Sequence, residues 1–128
     1  MPYEFVWEDH GVVTRYWGEI TSEEYIDSIC SMSSDSMYKS LSYELETFSE
    51  SAVAKISVEA VRRVARMDAD ASKKFPVRAV AIVGSQELIR GLNNLYRLQH
   101  EATGGHWTTK YFDTEEEARQ WLAEMLDE

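Results

Sequence analysis

The sequence predicts an α/β fold: one mixed, mostly parallel β-sheet that opens with an N-terminal β-hairpin and is covered by four helices. Three observations carry this expectation. Short runs rich in β-branched and aromatic residues alternate with longer amphipathic stretches along the chain. Several of the amphipathic stretches begin on a helix-capping signal. One run, "VRAVAIV" at 77–83, is almost continuously apolar, as a central strand covered on both faces should be.

The first two runs, "YEFVWE" (3–8) and "VVTRYWG" (12–18), read as strands joined through Asp9, His10 and Gly11, with the glycine expected to supply a positive φ. Thr21 with Glu24 forms a capping box, and Ile20 with Tyr25 has staple spacing, so a helix starts there with Tyr25, Ile26, Ile29 and Cys30 on its apolar stripe. "SMSSDS" (31–36) ends it. "LSYELETF" (41–48) sets Leu41, Tyr43, Leu45 and Thr47 against Ser42, Glu44 and Glu46, the pattern of a strand with one covered face. A second helix is expected from Ser57, with Ala54, Val58, Val61, Val64 and Ala65 on one side, closed by Phe75 and Pro76. The 77–83 strand leads through Gly84 and Ser85 into a helix to about His100. Gly104 and Gly105 make a turn, "WTTKYF" (107–112) is the last strand, and Thr114 with Glu117 caps a final helix with Ala118, Trp121, Leu122 and Met125 at core spacing. Strands that alternate with helices imply parallel pairing through right-handed crossovers.

The 128 residues make a single domain, 1–128. No apolar run is long enough to span a bilayer, the N-terminus has no signal-peptide pattern, and the single Cys30 has no internal disulfide partner. A cytoplasmic setting is the expectation. The net charge of −10 is uneven: residues 55–78 carry 7 bases and 3 acids, whereas residues 1–54 carry 11 acids and 2 bases. Such a chain repels a phosphate backbone, so nucleic acid is not an expected partner.

"VAIVGSQELIRGLNNLYRL" followed by "YFDTEEEARQWL" resembles the pattern of small stand-alone STAS-like domains, related to stage II sporulation protein AA and other anti-anti-sigma factors. In that pattern a hydrophobic strand enters a helix with an internal glycine, and a strand ending in an Asp-containing turn enters a helix ending in Trp-Leu. The resemblance implies a bacterial, cytoplasmic, STAS-like domain that acts through protein–protein contact; on the residues themselves, a second copy of the chain, as a homodimer, is one candidate partner. Anti-anti-sigma factors carry a phosphorylatable serine at the start of the second crossover helix. The matching stretch here is "SAVAKISVEAV", which makes Ser57 the candidate regulatory phosphosite, though no Asp precedes it.

Other candidate sites come from the residues themselves. Gly84 and Ser85 stand where a helix N-terminus could hold an anion, yet the glycine spacing of a dinucleotide site and the lysine of a P-loop are both missing, and Ser85 reads as an ordinary N-cap. Gly91 interrupts a helix whose Leu88, Ile89, Leu92, Leu95, Tyr96 and Leu98 cover half the circumference. Close approach of another backbone, or the floor of a ligand groove, is expected to justify it. Leu95 and Tyr96 are expected to face a second subunit or a ligand. Arg62 and Arg66, with Lys55 and Arg63, make a basic helical face that suits an acidic partner, with Glu59 spaced to pair with Arg62 and Arg63.

Catalysis has no visible constellation. His10, His100 and His106 are scattered, with only a loose metal option around His100, His106 and Glu101, and no metal or cofactor is expected. Glu44 and Glu46 share a strand face and read as solvated surface rather than as an acid–base pair. The expected function is a non-enzymatic regulatory or protein-interaction domain. The alternative is a module that binds a small molecule or lipid in a groove between the helices and the aromatic hairpin of Tyr3, Phe5, Trp7, Tyr16 and Trp17.

Overall fold

In a computed structural model of the chain, residues 2–75 and 78–126 are described. The strands are β1 (Tyr3–Trp7), β2 (Gly11–Tyr16), β3 (Glu19–Thr21), β4 (Tyr43–Phe48), β5 (Val53–Lys55), β6 (Ala79–Val83) and β7 (Thr108–Phe112). The helices are α1 (Ser22–Ser33), α2 (Val58–Ser72), α3 (Glu87–Ala102) and α4 (Glu115–Leu126), with a 3₁₀ turn at Ser36–Ser40. The main sheet runs β1-β2-β4-β6-β7, with β1 antiparallel to β2 and every other pair parallel. Pro76, expected to close the second helical region, and Val77, the expected first residue of the central strand, lie outside the described residues.

Local signals place the helices. Thr21 Oγ1 accepts from Glu24 N while the Glu24 side chain accepts from Thr21 N, so the capping box opens α1. Ser57 Oγ accepts from Ala60 N at the start of α2, and Thr114 Oγ1 from Glu117 N at the start of α4. Two short strands are absent from the sequence reading. β3 and β5 pair in parallel, Ile20 opposite Ala54, as a separate ribbon that leads directly into α1 and α2.

Two cores flank the sheet. Val12, Tyr16, Val80 and Ile82 face α1, α2 and α3, while Val13, Leu45, Ala81 and Val83 face α4 through Ala118 and Leu122. Val80 and Ile82 are buried, as the central-strand reading requires. Because β4 also lies between two strands and two helical layers, its alternation of Leu45 with Glu44 and Glu46 buries both sets. The expectation that Glu44 and Glu46 are solvated is therefore wrong: they are 3% and 6% exposed. Half of the strand's signal came from the face of a second layer that its own residues do not reveal.

Other corrections follow from packing. Gly11 has no positive φ; among the described residues only Gly18 and Gly104 do. Gly11 is required because the Tyr43 ring occupies the space a Cβ would fill, 2.1 Å away. Val58, Leu88 and Leu98 are exposed rather than in the core, and Trp17 is exposed at the end of the hairpin. The buried row of α3 is Ile89, Asn93, Tyr96 and His100. Glu59 pairs with Arg66 at 2.9 Å, two turns away, instead of with Arg62 or Arg63.

Candidate functional site

The sheet face beneath α1–α3 places acids in its middle. Across the register, Val12, Glu44, Val80 and Thr109 form one row, and Thr14, Glu46, Ile82 and Tyr111 form the next. Burying an aliphatic side chain at such a position stabilises by roughly 1.5–3 kcal/mol. A buried carboxyl costs stability unless it is paired or neutral. Packing alone would favour Val or Ile at both positions, so the acids point to a role other than stability.

Glu44 has a partner. Arg78, fully buried at the foot of β6, donates from Nη1 to Glu44 Oε2 at 3.1 Å and from Nη2 to the Tyr38 carbonyl. Its guanidinium lies 4.1 Å from the Tyr38 ring centre and 4.9 Å from that of Trp107, and its Nε has no acceptor among the described residues. Burial raises the Glu44 carboxyl while Arg78 lowers it.

Glu46 has no cation among the described residues. Burial first, then the neighbouring Glu44 and Asp68 charges, push it up to about 8, against a weaker opposing hydrogen bond from Tyr16. The Tyr16 hydroxyl meets Ser28 Oγ at 2.6 Å, and Ser28 donates onward to the Tyr25 carbonyl. Asp68 on α2 is also held well above its ordinary range by burial and by Glu44, and accepts a hydrogen bond from the Tyr96 hydroxyl. Of the three buried carboxyls only Glu44 is bonded to the guanidinium, and Glu46, at about 8, holds its proton at neutral pH.

Glu46 also lines a cleft. Its other walls are Phe48 at the carboxyl end of β4, Ile82 of β6, Tyr25 of α1, Ile56 and Val61 by the start of α2, and Ile89, Leu92, Asn93 and Tyr96 of α3. The free space is about 400 Å³ out to the open mouth, and the enclosed part has room for about two waters. Its position at the carboxyl ends of parallel strands is where open α/β sheets bind ligands. Asn93 is buried, and its Oδ1 has no hydrogen-bond donor among the described residues.

The residues singled out from the sequence are scattered around this cleft. Tyr96 lines it but is buried, so it is not part of an outer interface; Leu95 is half-buried against the same core. A methyl at Gly91 would meet nothing within 4 Å, which overturns the close-backbone reading, and Gly91 is not among the residues that line this cleft. Ser85 does not cap α3: Gln86 occupies that position without a side-chain cap and donates instead to the Ala52 carbonyl. Gly84 is packed against Ile89, whose Cγ2 lies 3.0 Å from a built Cβ. Ser57 is exposed, its hydroxyl caps α2, and its N–H donates to Ser22 Oγ at 2.9 Å. Arg62 and Arg66 are exposed on α2. None of Tyr3, Phe5, Trp7, Tyr16 and Trp17 lines the cleft, and the hairpin touches its wall only from behind, where Tyr16 stacks on Phe48.

His100 is structural. Trp107 N–H donates to its Nε2 at 3.1 Å, so the ring carries its proton on Nδ1, directed at the Ala65 carbonyl 3.4 Å away. Burial lowers its pKa, and it stacks between Tyr96 and Trp107. Among the described residues no group of three or more His, Cys, Asp or Glu could hold a metal ion, and no helix is long and apolar enough to cross a membrane. Burial of Glu44, Glu46 and Arg78 escaped the sequence reading. The available signal was three charges falling on two strands that the topology places side by side in the sheet.

A mixed sheet with three helices on one face, one on the other and a lead-in hairpin defines a STAS-like α/β domain. The SpoIIAA-like family model matches residues 12–123, and the chain belongs to that family. A crystal structure of an uncharacterized protein with a SpoIIAA-like fold from Shewanella loihica PV-4 is similar at 19% identity and a TM-score of 0.56, covering 94% of this chain and 91% of that one. The likeness extends to the fold. No curated protein matches the sequence.

Proposed function

We propose that the chain is a non-catalytic binding module that takes a small, largely apolar molecule in the cleft between α2 and α3. One observation carries this reading: an otherwise aliphatic and aromatic cleft ends on a carboxyl without a cation and beside an amide oxygen without a donor, among the described residues. Groups of this kind are costly unless a ligand uses them. The lining contains no serine, cysteine, lysine or histidine to act as a nucleophile beside Glu46, which supports binding over covalent catalysis. Native mass spectrometry of the purified chain, followed by methyl NMR with short-chain compounds, tests it. Binding should shift the Ile82, Ile89 and Leu92 methyls together. No shift with any compound at millimolar concentration would remove the reading.

A second reading, protein contact, draws on the exposed Val53, Val58, Leu88 and Leu98 and on the basic Arg62, Arg63 and Arg66 face. Sedimentation and a pulldown with an Arg62→Glu, Arg66→Glu variant test it: a partner lost from the variant supports it.

A further inference from the structure

Resting on the binding reading above, we propose that the cleft selects molecules bearing an amine, with an alkyl or aryl group between Phe48, Ile89 and Leu92 and the ammonium held by the Glu46 carboxyl and Asn93 Oδ1. Beside the hydroxyls of Tyr25 and Tyr96, the latter already given to Asp68, the cleft lining carries the Glu46 carboxyl and the Asn93 amide; Glu46 has no cation and Asn93 Oδ1 no donor among the described residues. An ammonium supplies three N–H donors and the missing charge. A carboxylate ligand would instead meet Glu46 with Glu44 and Asp68 behind it.

The groups facing Glu46 do not compete for this role. Tyr16 comes from β2, Tyr25 from α1, Asp68 from α2 and Tyr96 from α3, while Glu44 on the same strand is engaged by Arg78. The three tyrosines are neutral at neutral pH, since burial raises them further from an already high value, and Asp68 is an acid that supplies no cation. The single positive charge of the buried cluster is already directed at Glu44.

Proton balance follows from the chemistry. Below about pH 8 the carboxyl of Glu46 carries a proton, so an alkylammonium that binds as an ion pair releases that proton to solvent. The alkylammonium itself stays charged to about pH 10, as a lysine does. Amine affinity therefore rises by up to about tenfold per pH unit from about pH 6 to about pH 8 and then levels off.

Calorimetric titration of the intact chain with hexylamine, hexan-1-ol and hexanoate, at about pH 6 and about pH 8.5, decides the matter. The amine should bind at least about tenfold more tightly than the alcohol at the higher pH, and at the lower pH its heat should vary with buffer as a proton is released. Glu46→Gln should flatten the amine's pH dependence and remove its preference over the alcohol. Equal binding of amine and alcohol at both pH values, or tighter binding of hexanoate, would overturn amine selection while leaving the cleft as a binding site. Failure of all three probes would overturn both readings. If Glu46→Gln does not fold, the pH series on the unaltered chain still separates amine from alcohol.

Discussion

Arg78 and Glu44 meet across the β4–β6 pair, Nη1 to Oε2 at 3.1 Å, with both side chains shut off from water. The pair is an inserted cost. Its attraction must offset the desolvation of two charges, and the Tyr38 and Trp107 rings beside the guanidinium complete its surroundings.

Removing one partner should therefore hurt more than removing both. Arg78→Met should lower unfolding free energy by roughly 3–5 kcal/mol, because Glu44 is left buried beside Glu46 and Asp68. Adding Glu44→Leu should restore much of the loss. Urea denaturation of the two variants measures the difference; equal losses would show that the pair is not coupled.

Stability should fall as the pH rises from about 4.5 to about 8. The Glu46 carboxyl has a folded pKa of about 8, above its ordinary 4.5, so in that window the folded chain binds more protons than the unfolded one. Its contribution is complete below about pH 4.5 and is lost as the pH passes about 8, with a slope of at most about 1.4 kcal/mol per unit. Asp68, also raised, acts in the same direction. Glu8 and Glu115, lowered by hydrogen bonds to Arg119 and Arg15, act in the opposite direction and below about pH 4.5. Denaturation midpoints across this range should decline, and Glu46→Gln should reduce the decline.

Two glycine-to-alanine changes should have opposite signs. At Gly91 a methyl meets open space in a helix interior, so Gly91→Ala should stabilise by roughly 0.5–1 kcal/mol. At Gly11 it would collide with the Tyr43 ring, whose hydroxyl is tied to Glu8, so Gly11→Ala should destabilise by roughly 1–3 kcal/mol. Thermal melts of both variants check the pair of signs.

Ser57 has a structural role irrespective of any modification. Ser57→Ala removes the acceptor for Ala60 N and should cost about 1 kcal/mol, whereas Ser57→Asp keeps a cap and places negative charge at the N-terminus of α2. The two variants should separate in a urea melt, with the aspartate close to the unaltered chain. Equal losses would show that the cap is not what Ser57 contributes.

Local chemistry was legible in the sequence. The Thr21–Glu24 box, the Ser57 cap and the Thr114–Glu117 pair are fixed by residues three apart, and each begins a helix where its spacing indicates. The apolar run ending at Val83 lies inside the sheet, between β4 and β7, buried on both faces as its continuous hydrophobicity indicates. What failed depended on neighbours distant in sequence. Whether Glu46 is wet is decided by Tyr25, Asp68 and Tyr96 on three helices, and whether Gly91 is crowded by what α3 does not touch. β3 and β5 have three residues each, too few for any period. The sequence points to a groove between the helices and the aromatic hairpin, whereas the cleft is walled by residues of β4, β6, α1, α2 and α3 that only the fold brings together.

Helix α3 is anchored at one end. Near its last turns His100 is clamped between two rings, takes the Trp107 N–H and presses on Gly105, whereas its first turn lacks a side-chain cap and leaves Leu88 half in water. The first turn is held instead by contacts from outside the helix: the Gln86 amide on the Ala52 carbonyl and Ile89 buried against Gly84. The uncapped end should therefore trade amide hydrogen for deuterium sooner than the end that His100 secures, which an exchange time course over α3 checks.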